Sequence, residues 1–192
     1  MPLTTLDATS ALIIIDLQKG IVALPDADVS QAVVANAAYL ATEFRRRDLP
    51  VVLVNVAGAA PGRTEYTENS AELPADFFDL VAELDVHDDD VLVTKTRWGA
   101  FHGTDLHQFL QERGVTQTVL AGIATGIGVE STARAAHEHG YHVALATDAM
   151  TDMDTERHHN SVTRVFPVLG QTASTKDIVA RLPRDPNPEQ SA

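Results

Sequence analysis

The 192-residue chain contains no cysteine. Thiolate nucleophiles, thiolate metal ligands and disulfides are therefore excluded as the basis of its chemistry or its stability. Basic residues are scarce as well: 14 Lys and Arg stand against 27 Asp and Glu, a formal charge of −13. A surface of that sign repels a phosphate backbone, so nucleic acid is not an expected partner. Long apolar runs are missing too. The longest, Ala11 to Ile15 and Val51 to Val54, fall far short of the ~20 residues that cross a bilayer, and no membrane segment is expected. Met1 to Thr9 has neither the basic start nor the apolar core of an export signal, which makes the cytoplasm the expected location.

What is present points to one core. The length suits a single domain, read as residues 1–182, followed by a proline-rich polar tail, 183–192, read as disordered. Short β-branched runs alternate with helical patterns throughout, the signature of repeated βα units on a parallel sheet. Strands are expected at Ala11 to Asp16, Val51 to Val56, Asp90 to Lys95, Thr118 to Ile123, His142 to Ala146 and Gly170 to Ala173. These runs are apolar almost throughout, as expected when helices cover both faces of the sheet. Helices are expected at Val29 to Arg47, Thr104 to Arg113, Gly128 to His139 and Thr155 to Phe166, with Gly114 and Gly140 as stops for the second and third. The basic turn Arg45-Arg46-Arg47 suits a helix C-terminus and needs no ligand. The segment Ala57 to His87 is long and polar, with one short helix expected near Asp76 to Glu83, and reads as a loop over the site. Asp85, Asp88, Asp89 and Asp90 lack the glycine and closing glutamate of a calcium loop and read as a turn.

In open parallel sheets, ligands bind beyond the carboxyl ends of the strands. Asp16 ends the first strand, Lys95 ends the third, and the turn Gly126-Ile127-Gly128 follows the fourth, so three distant segments meet on one edge. Asp16 follows four apolar residues, a position where a carboxylate is unfavourable unless paired or functional.

The blocks Ile14-Ile-Asp16-Leu-Gln18, Thr94-Lys95-Thr-Arg97-Trp98-Gly-Ala-Phe101 and Gly122-Ile-Ala-Thr-Gly-Ile-Gly128-Val-Glu-Ser-Thr-Ala-Arg134 resemble, in order and spacing, the isochorismatase-like hydrolase superfamily. The resemblance spans nearly the whole chain. It implies a three-layer α/β/α, Rossmann-like fold around a six-stranded parallel sheet. In the family's amidases an Asp, a Lys and a Cys form the catalytic triad; Asp16 and Lys95 match, while Gly128 stands where the Cys would be. Isochorismatases, which hydrolyse a vinyl ether to pyruvate, also carry Gly there, and Arg97, Ala100 and Phe101 lean the same way. The chain thus looks like a member of a cysteine-free subgroup. Nicotinamidases have an Asp-x-His metal pair after the second strand; here that place reads Asn55-Val-Ala57, so neither metal nor cofactor is expected.

The resemblance implies an acid–base pair, Asp16 and Lys95, with backbone donors at Ala124 and Gly128 turned to the site by a cis peptide at Ile123-Ala124. Substrate contacts are expected from Gln18, Arg63, Arg97, Trp98, Phe101, Thr125 and Ile127, although packing explains Phe101 and Ile127 equally well. The expected reaction is hydrolysis of a small molecule by water, without a covalent intermediate. Two alternatives stand beside it: an amide or ester hydrolase using activated water or Thr125, for which no adjacent histidine base is evident, and an inactive binding or scaffold protein of the same fold. His158 and His159 read as packing or capping residues, and the other histidines as surface or interface groups. A homodimer or homotetramer is the family's expectation.

Overall fold

The computed structural model describes residues 3–65 and 73–185. Six strands form one all-parallel sheet: β1 (Ser10–Ile15), β2 (Val51–Val56), β3 (Val91–Lys95), β4 (Gln117–Ile123), β5 (His142–Thr151) and β6 (Gln171–Ala173), in the order β3-β2-β1-β4-β5-β6. The order reverses between β1 and β4, the place where such sheets open a crevice at their carboxyl edge. Alternate side chains of β1 serve different cores. Leu12 and Ile14 pack with Val33, Ala37, Leu40 and Phe44 of α2 (Ala27–Arg45), while Ile13 and Ile15 pack with Leu106 and Leu110 of α3 (Leu106–Glu112) and Ala133 and Ala136 of α4 (Glu130–Glu138). A short α1 (Lys19–Val22) precedes α2, and α5 (Thr155–Asn160), α6 (Phe166–Leu169) and α7 (Thr175–Val179) follow α4. The three-layer arrangement is the expected one.

Several details depart from expectation for physical reasons. No helix forms over Asp76 to Glu83, because its backbone is used by the chain leaving β1. Lys19 and Gly20 N–H donate to the Asp79 and Phe77 carbonyls (2.8 and 3.0 Å), and Val81 N–H donates to Leu17 (3.0 Å), leaving only a 3-10 turn at Ala82–Leu84. With no α-helix among the described residues of that crossover, β3 is covered on one side: Val93 and Lys95 are buried while Leu92 is 61% exposed. The expected helix from Thr155 to Phe166 is interrupted by a π-helical turn, Ser161–Val165, before α6 restarts at Phe166. Pro167 has no N–H to give a continuous ladder and its ring crowds the preceding turn, so the widened turn admits it. β5 runs on to Thr151 through a register shift against β4 between Leu120 and Gly122, and α1 and α7 have no counterpart in the expected helices.

The basic end of α2 is spent internally. Arg45 makes a two-pronged pair with Asp90 (3.0 and 2.7 Å), which also fixes the acidic turn as a turn. Arg47 pairs with Glu43 at 2.7 Å and donates to the Pro183 carbonyl at 2.8 Å, and Arg46 pairs with Asp185 at 3.0 Å. The start of the expected tail is thus tied to α2; residues 186–192 lie outside the described residues. Among the described residues no helix is long and apolar enough to cross a membrane.

At Gly122 of β4 the backbone leaves no room for a side chain against Ile15 of β1. Its φ is +120°, and a Cβ there would lie 2.0 Å from the Ile15 carbonyl oxygen. Gly122→Ala should therefore lower stability by about 3 kcal/mol or more. Urea unfolding checks this, and a midpoint close to native would show that the strands can part without loss.

Candidate active site

Asp16 lies just past β1, its N–H bonded to the Val54 carbonyl at 2.9 Å and its φ at +51°. Lys95 is the last residue of β3, two strands away, or about 10 Å at the usual strand spacing. Its four-carbon stem crosses the end of β2, and Nζ donates to Asp16 Oδ2 at 2.7 Å and to the Arg97 carbonyl at 3.2 Å. Both side chains are withdrawn from water, at 2% and 8% exposure for Lys95 and Asp16. Asp16 Oδ1 is buried and has no hydrogen-bond partner among the described residues. Burial raises the Asp16 carboxyl from 3.8 to about 6, against the opposing pull of Lys95.

The third segment arrives from β4. The Ile123–Ala124 peptide is cis, as the resemblance implies, and the chain then enters a π-helical turn, Thr125–Val129, that continues into α4. Gly128 sits against the carboxyl: a Cβ there would lie 3.2 Å from Asp16 Oδ2, 2.9 Å from Ile15 Cγ2 and 3.6 Å from the Trp98 carbonyl oxygen. Asp16, Lys95 and Gly128 are therefore brought together from three strands. Ala124, buried at the mouth of the turn, accepts from Ile127 and Val129 N–H (3.1 and 3.2 Å), while Gly126 N–H donates to Asp152 Oδ2 (2.9 Å).

The outer residues fare differently. Gln18 is wholly buried, and its amide is consumed by backbone: Nε2 donates to the Val56 and Phe78 carbonyls and Oε1 accepts from Val56 N–H, at 3.1, 2.9 and 2.8 Å. It is a clamp between β2 and the following loop rather than a substrate contact. Phe101 belongs to the α3/α4 core, with its ring 5.2 Å from His139 and 6.0 Å from Tyr141, so packing is its role. Ile127 is partly buried against the α2 side of the core. Arg97 donates to the Thr96 carbonyl at 2.7 Å and the Ala59 carbonyl at 3.4 Å, which ties the loop after β2 to the loop after β3. Trp98 is 59% exposed, and Arg63 is exposed in the loop after β2. Thr125 is wholly buried and its Oγ1 lies 2.8 Å from His158 Nδ1, so the histidine that the sequence did not reveal is present, at a hydroxyl closed to solvent.

Asp152 was not singled out in the sequence, and His158 was read there as a packing or capping residue. Asp152 accepts from Gly126 N–H, Asp154 N–H and Arg157; burial works to raise its carboxyl, but these donors outweigh it and hold it below the usual range. The available signal was an Asp at the end of a long strand run, followed five residues later by an Arg.

The isochorismatase domain family matches residues 10–177. An uncharacterized isochorismatase family protein of Bacillus subtilis, YwoC, is 44% identical over 180 residues, covering 90% of this chain and 94% of that one. The ureidoacrylate amidohydrolase RutB of Variovorax paradoxus is 29% identical over 209 residues, covering 93% and 83%. The structure of an isochorismatase family protein from Burkholderia thailandensis superposes with a TM-score of 0.86 at 43% identity, covering 93% and 97%. The chain belongs to the isochorismatase-like hydrolase family.

The buried pair makes a stability prediction. Asp16→Asn strands an ammonium and Lys95→Met strands a carboxyl, so each should lose about 3–5 kcal/mol at pH 8, whereas the double variant should recover most of it. Denaturant unfolding of the four proteins measures the coupling. A double variant whose loss equals the sum of the single losses would deny it.

Proposed function

We propose that this chain hydrolyses a small molecule by proton transfer through Asp16, with Lys95 holding and tuning the carboxyl and water completing the reaction. The observation that carries the reading is the divided carboxyl: Oδ2 is held by Lys95, while Oδ1, buried as the site stands, has no hydrogen-bond partner among the described residues, so a substrate or water that opened the site would find it uncommitted. Raised to about 6, the carboxyl is available in both protonation states near neutrality, as a general acid or base requires. With Gly128 beside it, no side-chain nucleophile competes for that place. A vinyl ether such as isochorismate suits this set. Protonated Asp16 delivers a proton to the alkene carbon, water adds to the resulting oxocarbenium carbon and returns a proton to the Asp16 carboxylate, and collapse of the hemiketal, with the hydroxyl proton passing to the ether oxygen, releases pyruvate and the ring alcohol. The backbone N–H groups of Ala124 and Gly128, near a helix start, steady oxygen-centred charge.

A second reading, an amide or ester hydrolase in which ionised Asp16 activates water, is favoured by the similarity to an amidohydrolase. Its Thr125 variant is not favoured, because that hydroxyl is buried and engaged.

The pH profile separates the two. If Asp16 is the acid for a vinyl ether, pyruvate release from isochorismate should have kcat/KM highest on the acid side, falling tenfold per pH unit above about 6. If it is the base for an amide, ammonia release from small amides should rise through the same midpoint and level off above it. Asp16→Asn should reduce either by about a hundredfold or more. Turnover that survives Asp16→Asn undiminished would remove the carboxyl from the mechanism.

A further inference from the structure

The π-helical turn at the site is gripped from outside its own helix. Gly126 N–H donates to Asp152 Oδ2 at 2.9 Å, Thr125 Oγ1 meets His158 Nδ1 at 2.8 Å, and Ser161 Oγ donates to Glu130 Oε2 at 2.6 Å. Asp152 lies just beyond β5, His158 on α5 and Ser161 at its end, so one segment contributes these three contacts, two to the turn and one to Glu130 directly after it. The fit is close: a Cβ on Gly126 would lie 2.3 Å from Arg157 Cγ.

We propose that His158 is a positioning residue for this site, its neutral imidazole accepting the Thr125 hydroxyl proton at Nδ1 and so fixing the turn that presents Ala124 and Gly128. This rests on the reading that the turn belongs to the active site. Thr125 is wholly buried, and among the described residues His158 is the partner its hydroxyl finds. A buried hydroxyl needs an acceptor for its proton, and a neutral imidazole protonated on Nε2 supplies one. The titratable groups that act on His158 are Asp152, just beyond β5, and His159 from α5; Arg157 is paired with Asp152, and Glu130 of α4 accepts from Ser161. Burial lowers the His158 value below 6.5, and its effect exceeds the opposing attraction of Asp152. The neutral form therefore prevails at pH 7. On acidification the protonated Nδ1 becomes a donor, Thr125 must accept instead, and its own proton loses its acceptor. The turn should then loosen, apart from any titration of Asp16.

The test uses the full chain and three variants. His158→Leu removes the acceptor, His158→Asn keeps an amide oxygen near the Nδ1 position but cannot titrate, and Thr125→Val removes the hydroxyl without changing shape. Amide hydrogen exchange at residues 124–129 is read against pH, beside kcat and KM for whichever substrate turns over. In His158→Leu we expect exchange at the turn to quicken about tenfold or more and kcat to fall about ten- to a hundredfold with KM little changed, as a displaced catalytic geometry predicts. Thr125→Val should do the same, and serves if His158→Leu does not fold. His158→Asn should return both quantities to within about threefold of native and abolish the acid-induced rise in exchange. Native exchange and kcat in His158→Leu or Thr125→Val, or failure of His158→Asn to rescue, would overturn the proposal. Exchange is read without turnover, so it decides the role of His158 even if Asp16→Asn leaves activity intact and the active-site reading fails.

Discussion

A carboxyl and an ammonium held 2.7 Å apart and out of water set the terms for everything around them. Neither charge is tolerable there alone, so the fold must deliver both from different strands and keep them in register. It does so by placing β2 between their parent strands and letting the lysine stem cross its end. The pair also divides the carboxyl into an oxygen bound by Lys95 and an oxygen with no hydrogen-bond partner among the described residues. That asymmetry turns an ion pair into a candidate acid–base catalyst.

The surrounding construction keeps that edge rigid. Gln18 locks β2 to the following loop, Arg97 links two loops over the crevice, and Gly122 lets β1 and β4 close up directly behind Asp16. Opposite the carboxyl, the chain offers only a glycine. Where amidases of the family carry a thiol, the space is bounded by Asp16, Ile15 and the Trp98 carbonyl. No side-chain nucleophile stands at that place, and in the proposed reaction proton transfer falls to Asp16.

The parallel sheet was legible because buried strands advertise themselves as apolar runs, and Asp16 and Lys95 were legible because a charge ending such a run is conspicuous. Gly128 was legible only through the resemblance. The expected outer contacts were less secure, since sequence marks a residue as near the site without saying which way it points. Gln18 turns to backbone, Phe101 to the core and Thr125 to His158. His158 itself lies 33 residues from its partner, a pairing that no local spacing encodes. The loop after β2 misled the helix assignment because its backbone groups are claimed by residues far earlier in the chain.

The central claim is that Asp16 is a buried carboxyl poised near neutrality by burial against Lys95. Carbon-13 NMR of labelled aspartate, assigned by Asp16→Asn, measures this directly. One carboxyl should titrate near pH 6 in the native chain and at higher pH in Lys95→Met. An Asp16 that titrates near the ordinary 3.8, or that is indifferent to the loss of Lys95, would contradict it.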